Sequence, residues 1–170
     1  NSVDTTNPIA LFPLSLIANE TYVVVADGIV SPSGYNPSPA FNLEIYNMGR
    51  EAATSGSNTD LLVHHGSTDA PAVDVAEVEV VNTVLVDDIA YSEFQGYLEL
   101  PTDDYTLQVL DAAGITPIAA YEAPLATLGL QGAAGVVVAS GFLDPSNNSN
   151  GPAFGLFVAL PSGGPLVALP

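Results

Sequence analysis

The chain has 170 residues, 48% of them hydrophobic, so it can bury a core and lacks the composition of a disordered protein. Its 19 acidic residues are opposed by one arginine and no lysine, and the formal net charge is −18 at pH 7. This balance argues against nucleic acid as a partner, because phosphates require a basic surface, and the absence of cysteine excludes disulfides.

The strongly negative net charge has two interpretations. A solvated anionic surface keeps an apolar protein soluble and repels its neighbours. The alternative is cation binding, or life in salty water where screening is strong. With so few cations we expect ion pairs to contribute little, and we expect Arg50, beside Glu51, to be solvated.

Short runs rich in Val, Ile, Leu, Tyr and Phe alternate with Pro- and Gly-rich turns, a pattern typical of an all-β sandwich. No run of about 18 apolar residues is present, so we expect no membrane-spanning segment. The predicted strands, in chain order, are residues 9–16, 21–30, 40–47, 61–65, 72–79, 82–87, 97–100, 104–111, 116–123, 134–143, 153–160 and 165–169.

Residues 23–43 recur at 136–156 with an offset of 113 and no gap. Eleven of the 21 aligned positions are identical, including the run VVVA at both starts, the glycines Gly28 and Gly141, and the PAF triplet. The repeat predicts four parts: the back half of one sandwich unit (1–48), a polar linker (49–60), a complete unit (61–163) and an apolar tail (164–170). A half sandwich leaves apolar faces and strand edges open.

The stretch VHHGSTDAPAVDV at 63–75 resembles the opening of the family known as domain of unknown function 4397. That family has a V-x-H-A-S-P-D-A-P-x-V-D-V-like start, then a tyrosine-leucine-x-leucine-proline segment and a following strand, matched here by 97–101 and 105–109. Gly66 and Thr68 stand where the family usually has Ala and Pro. The resemblance covers most of residues 61–160, and 9–47 resemble the second half of the same unit.

The resemblance implies an Ig-like antiparallel β-sandwich, secreted or on the cell surface, often in tandem, and it brings no catalytic activity or cofactor. The sequence itself shows no nucleophile elbow, phosphate-binding loop or paired-carboxylate motif. We therefore expect a protein that is not an enzyme.

His65, Asp69 and Asp74 are the candidate metal ligands. His64 and His65 are neighbours on a strand and point to opposite faces, so only one can join a cluster. The other reading is that His65 and Asp69 hydrogen-bond the turn at 67–71, which we favour because no third and fourth ligands are evident. Calcium, through Asp-rich loops, is the cofactor alternative, although no D-x-D-x-D-G spacing is present.

The last 26 residues carry no charged side chain. The tail either folds on its own sandwich or offers a strand to another copy. The predicted assembly residues are Pro165, Leu166, Val167, Ala168 and Leu169 in the tail and Tyr22, Val23, Val24 and Val25 in the partial unit. We expect a non-enzymatic extracellular structural module that self-associates, with filaments built by strand complementation. The alternative is a carbohydrate- or calcium-binding module of a surface protein.

Overall fold

The computed structural model describes residues 8–170, and strands account for nearly all of its regular structure. The only helical element in that range is a short 3-10 turn at Pro145–Asn147. The eleven strands are β1 Val23–Asp27, β2 Asn42–Tyr46, β3 Asn58–His65, β4 Val73–Glu77, β5 Thr83–Ile89, β6 Phe94–Pro101, β7 Asp104–Asp111, β8 Pro117–Pro124, β9 Ala134–Ser140, β10 Gly155–Ala159 and β11 Val167–Ala168.

The strands form three sheets. One has five strands in the order β11-β10-β9-β3-β6, one has four in the order β5-β4-β7-β8, and β1 and β2 make a two-stranded hairpin. All pairs are antiparallel except β3 with β9, which is parallel. Among residues 8–170, no helix has the length and apolar character needed to cross a membrane.

The predicted all-β sandwich is confirmed. Alternate residues of a strand face opposite sides of the sheet, and one side of each large sheet is apolar. The five-stranded sheet contributes Leu61, Val137 and Val158 to a core that the four-stranded sheet completes. The four-stranded sheet supplies residues such as Val75, Val86, Tyr105 and Val109.

The outer face of the five-stranded sheet is also occupied. Strand β3 points Asp60, Leu62 and His64 away from the core, and none of the three has more than negligible exposure. Asp60 and His64 contact Arg50 and Asp27, which follow or belong to the hairpin. The hairpin therefore forms a third layer on this face.

Two sequence predictions need correction. Residues 9–16 are not a strand, because nothing within residues 8–170 pairs with their backbone in a sheet. The segment 49–60 is not a free linker: Ala52 bridges to Ala133, Ala53 donates to the Gly132 carbonyl at 2.9 Å, and β3 already begins at Asn58.

The turn between β4 and β5 is organised by Glu77, whose side chain is fully buried. Its carboxylate accepts hydrogen bonds, at 2.6–3.0 Å, from the backbone N–H groups of the four turn residues Glu79, Val80, Val81 and Asn82. Burial alone would raise the pKa of Glu77, but these four donors outweigh it and hold the pKa at about 2, below the ordinary 4.5.

Because the folded pKa lies below the unfolded one, the stabilisation by Glu77 is complete above about pH 4.5 and is lost as the pH falls towards about 2. We expect Glu77→Gln to lower the free energy of unfolding at pH 7 by about 2 kcal/mol, the range of hydrogen bonds to charged groups. Urea unfolding at pH 7 and pH 3 measures both effects.

The matched control is Glu79→Gln, since Glu79 lies in the same turn and is exposed. The expected result is a smaller difference between pH 7 and pH 3 in Glu77→Gln than in Glu79→Gln. Equal acid dependence in the two variants would contradict this account of the turn.

Candidate assembly site

The hairpin β1-β2 repeats the geometry of the hairpin β9-β10. Val23 pairs with Tyr46 and Asp27 with Asn42, and at an offset of 113 Val136 pairs with Ala159 and Ser140 with Gly155. The other three pairs of each hairpin follow the same offset. The sequence repeat at 23–43 therefore corresponds to one strand register, used twice.

The glycines of the repeat have a shared structural reason. Gly28 and Gly141 follow β1 and β9 at positive φ, 82° and 86°, where a side chain is strained. A Cβ at either position would collide with a backbone carbonyl, that of Ala40 or Ala153. Each glycine lets the returning chain pass close to the end of its strand.

The two hairpins differ in what covers them. In β9-β10 the core-facing residues Val137 and Val158 are 5% and 1% exposed. Their counterparts in β1-β2, Val24 and Ile45, are 44% and 41% exposed. Ala26 is likewise exposed and Leu43 half-buried, whereas their counterparts Ala139 and Leu156 are buried. The hairpin thus presents a face of core composition that residues 8–170 leave largely uncovered.

One edge of β1 is also open. Gly49 N–H donates to the Thr21 carbonyl at 2.9 Å, so the backbone carbonyl of Thr21 points toward β2. Because backbone groups alternate between the two edges of a strand, the other odd-numbered residues of β1 also direct theirs toward β2. Tyr22, Val24 and Ala26 consequently direct theirs to the opposite edge, where no strand of the described chain lies. At the corresponding edge of β9, the parallel strand β3 is bound.

The other face of the hairpin is fixed to the sandwich by a buried polar contact. His64 Nε2 lies 3.0 Å from Asp27 Oδ2, and both side chains are buried. The His64 ring packs on Phe94 with centroids 4.3 Å apart, and Tyr46 packs on Phe94 and Tyr97. A carboxylate in this position needs its partner, because an unpaired buried charge is costly.

Tyr91 closes the same junction. Burial, with Asp27 and Glu44 nearby, raises the pKa of Tyr91 to about 12, despite a hydrogen bond from the Gly28 backbone. The phenol is therefore neutral at any ordinary pH and does not add charge beside the two carboxylates.

Arg50 is not solvated as the sequence suggested. Its Nη1 lies 2.6 Å from the buried Asp60 and 2.7 Å from Glu99, and its guanidinium stacks over Tyr97 at 4.5 Å. Burial lowers the pKa of Arg50, but the bonds to Glu99 and Asp60 outweigh it and leave the pKa raised. The single arginine therefore neutralises the carboxylate that β3 buries under the hairpin.

The candidate metal ligands have separate partners. His65 Nε2 lies 3.0 Å from the Pro71 carbonyl, and burial lowers the pKa of His65. Asp69 accepts hydrogen bonds from the backbone of Leu143 and Asp144 and from Asn148, while Asp74 accepts from Asp88 N–H at 2.7 Å. In residues 8–170, no three acidic or histidine side chains are grouped to hold a metal ion.

The apolar tail lies on its own sandwich. Strand β11 pairs with β10, Leu169 is buried in the core, and Pro170 accepts a hydrogen bond from Glu122 N–H. Leu166 and Val167 remain exposed, at 54% and 37%. Of the two alternatives for Pro165, Leu166, Val167, Ala168 and Leu169, the structure contains the intramolecular one, and donation of this strand to another copy stays a prediction.

Sequence reasoning missed Asp27 and Phe94, and it gave His64 no partner. Asp27 stands where the repeat has Ser140, so a carboxylate in an otherwise apolar match was the available signal for a specific partner. It also missed that the two repeat loops meet: Asn36 N–H donates to Asn148 Oδ1, and Ser149 Oγ donates to the Gly34 carbonyl.

A protein-family model, described as a domain of unknown function (DUF4397), matches residues 59–141. This range begins at β3 and ends just after β9, so it contains the whole four-stranded sheet but not β1 or β2. No curated protein matches the chain. No solved structure matches it either.

We expect Asp27→Ala to loosen the hairpin from the sheet, because it leaves the buried Nε2 of His64 without a partner, at about 1–3 kcal/mol. The chain has one arginine and no lysine, so trypsin has a single site, at Arg50, directly after the hairpin. Since cleavage follows the open population, we expect it to be about tenfold faster in Asp27→Ala.

The control is Glu44→Ala, which removes a carboxylate from the same hairpin without touching His64. Equal cleavage rates in Asp27→Ala and Glu44→Ala would show that the contact between Asp27 and His64 does not hold the hairpin in place.

Proposed function

Through residues 59–141 the chain belongs to the family described as a domain of unknown function (DUF4397), and from this premise we propose that it is a non-enzymatic, extracellular structural module of Ig-like type whose copies self-associate, by strand complementation, into an oligomer or filament. The partial unit would be the contact point. Its assignment to the same family is part of the proposal, since the family match begins after it.

The uncovered face of the hairpin carries the proposal. Val24, Ala26, Leu43 and Ile45 occupy the register positions that in β9-β10 build the sandwich core. Phe12 stacks on Phe41, which directly precedes β2, with centroids 5.8 Å apart. Contiguous apolar surface beside an open strand edge is typical of a site for another polypeptide.

The charge of the chain favours contact between copies at uncharged surfaces such as this one. A net charge of −18 makes copies repel, so they can approach closely only where surfaces are uncharged. The core-equivalent face of the hairpin carries no ionisable side chain at its four apolar positions. We therefore expect association to strengthen with salt, which screens the remaining carboxylates.

The non-enzymatic part of the proposal is supported by the engagement of the polar groups. His65, Asp69 and Asp74 each bind backbone groups of neighbouring loops or strands. The extracellular part rests on the family resemblance. The cysteine-free, strongly acidic composition is compatible with it.

We expect the double variant Val24→Ser, Ile45→Ser to weaken self-association at least tenfold. Burial of one such side chain contributes roughly 1.5–3 kcal/mol, and 1.4 kcal/mol is a factor of ten in affinity. Sedimentation velocity over a concentration series at high salt measures the effect, and negative-stain micrographs show whether the associated form is a filament.

The matched control is Val84→Ser, Val81→Ser. These residues are 49% and 41% exposed, nearly as Val24 and Ile45 are, but they lie on or beside β5 of the four-stranded sheet. The proposal is wrong if both double variants change the association equally, or if the unmodified chain stays monomeric at every concentration and salt level.

A further inference from the structure

The open edge of β1 borders a groove on the outer face of the five-stranded sheet. The groove has a volume of about 590 Å³. Its wall is β1, and its floor is the outer side of β9 and β10, with lining residues that include Val23, Val25, Val136, Val138 and Phe157. It therefore offers both unpaired backbone groups and an apolar floor.

The complete unit shows what shape of element fits this edge. Strand β3 runs parallel to β9, with Leu62 opposite Val136 and His64 opposite Val138. At the offset of 113, Val136 and Val138 correspond to Val23 and Val25. A strand parallel to β1 would thus extend the hairpin into a three-stranded sheet and place alternate side chains over the groove floor.

The same chain contains a strand-forming segment that lacks a strand partner. Residues 9–12 are all apolar, with Ile9 and Leu11 on one side of an extended chain and Ala10 and Phe12 on the other. At the repeat offset they correspond to residues 122–125, of which the first three belong to β8. Ile9 and Leu11 are 78% and 80% exposed. Pro13 has no N–H and would end such a strand after four residues.

The segment is placed to reach outward. The Phe12 ring stacks on Phe41 and Ile17 N–H donates to the Tyr22 hydroxyl, so the C-terminal end of the segment is anchored to its own hairpin. Residues 9–11 precede that contact and carry no charge. The groove floor on β9 and β10 is uncharged too, and the one carboxylate among the lining residues, Asp27, is buried against His64. In a chain of net charge −18, an uncharged donor segment can approach an uncharged groove floor without the repulsion that acts between acidic surfaces.

We propose that residues 9–12 of one copy form a strand that pairs in parallel with Tyr22, Val24 and Ala26 of a second copy and fills its groove. This inference rests on the proposed self-association and names its two partners. Because donor and acceptor are different surfaces of one chain, the contact is head to tail and repeats into a ring or a filament.

The absence of native cysteine allows a direct test. One population carries Leu11→Cys and a differently tagged population carries Val24→Cys, so any bond between the two sites joins separate molecules. A short thiol-reactive cross-linker is added under associating conditions, and the mixed dimer is counted by mass. The control donor is Ile115→Cys, because Ile115 is 77% exposed but lies on the four-stranded sheet side, between β7 and β8.

We expect the Leu11→Cys donor to give at least fivefold more mixed dimer than the Ile115→Cys donor. We also expect Ile9→Asp, Leu11→Asp to reduce association at least tenfold in sedimentation, with an unchanged thermal midpoint as the check on folding. If the unmodified chain associates but neither effect is seen, the donor assignment is wrong and the proposed function stands. If the unmodified chain does not associate at all, both are wrong.

Discussion

The parallel pairing of β3 with β9 is the contact on which the rest of the structure depends. Because β3 lies between β9 and β6 in the five-stranded sheet, its inward side chains, such as Leu61, complete the sandwich core. Its outward side chains, Asp60, Leu62 and His64, receive the hairpin layer. One strand therefore organises three layers, and the hairpin β1-β2, which repeats β9-β10 without such a neighbour, is left with an open edge and an uncovered face.

A buried polar side chain requires a partner, and the outer face of β3 carries two buried polar side chains that have one. The single arginine, Arg50, binds Asp60, and His64 binds Asp27. Both contacts join the N-terminal part of the chain to the family domain. Replacing buried charged or polar pairs by apolar groups is often neutral or stabilising, so these contacts are better explained by the placement of the hairpin than by stability alone.

Much of this architecture could be predicted from particular residues. The offset of 113 predicted equivalent loops and strands, since Val23–Asp27 and Ala134–Ser140 share composition and the following glycine. The ion pairs of Arg50 could not be predicted, because its partners Asp60 and Glu99 lie on different strands, β3 and β6. The strand predicted at 9–16 is wrong because an apolar run shows which residues can form a strand, whereas pairing requires an edge within reach. The contact between Asp27 and His64 was missed because a single aspartate gives no indication of its partner, which lies 37 residues away in the chain.

The central claim is that the open edge of β1 is paired between copies. The most direct measurement is amide hydrogen exchange of β1 by NMR, in dilute and in concentrated protein at the same salt. Val23, Val25 and Asp27 face β2 and should be protected at both concentrations. We expect Val24 and Ala26 to exchange freely in dilute protein and to become protected as the concentration rises. Exchange of these two amides that does not change with concentration would contradict the account.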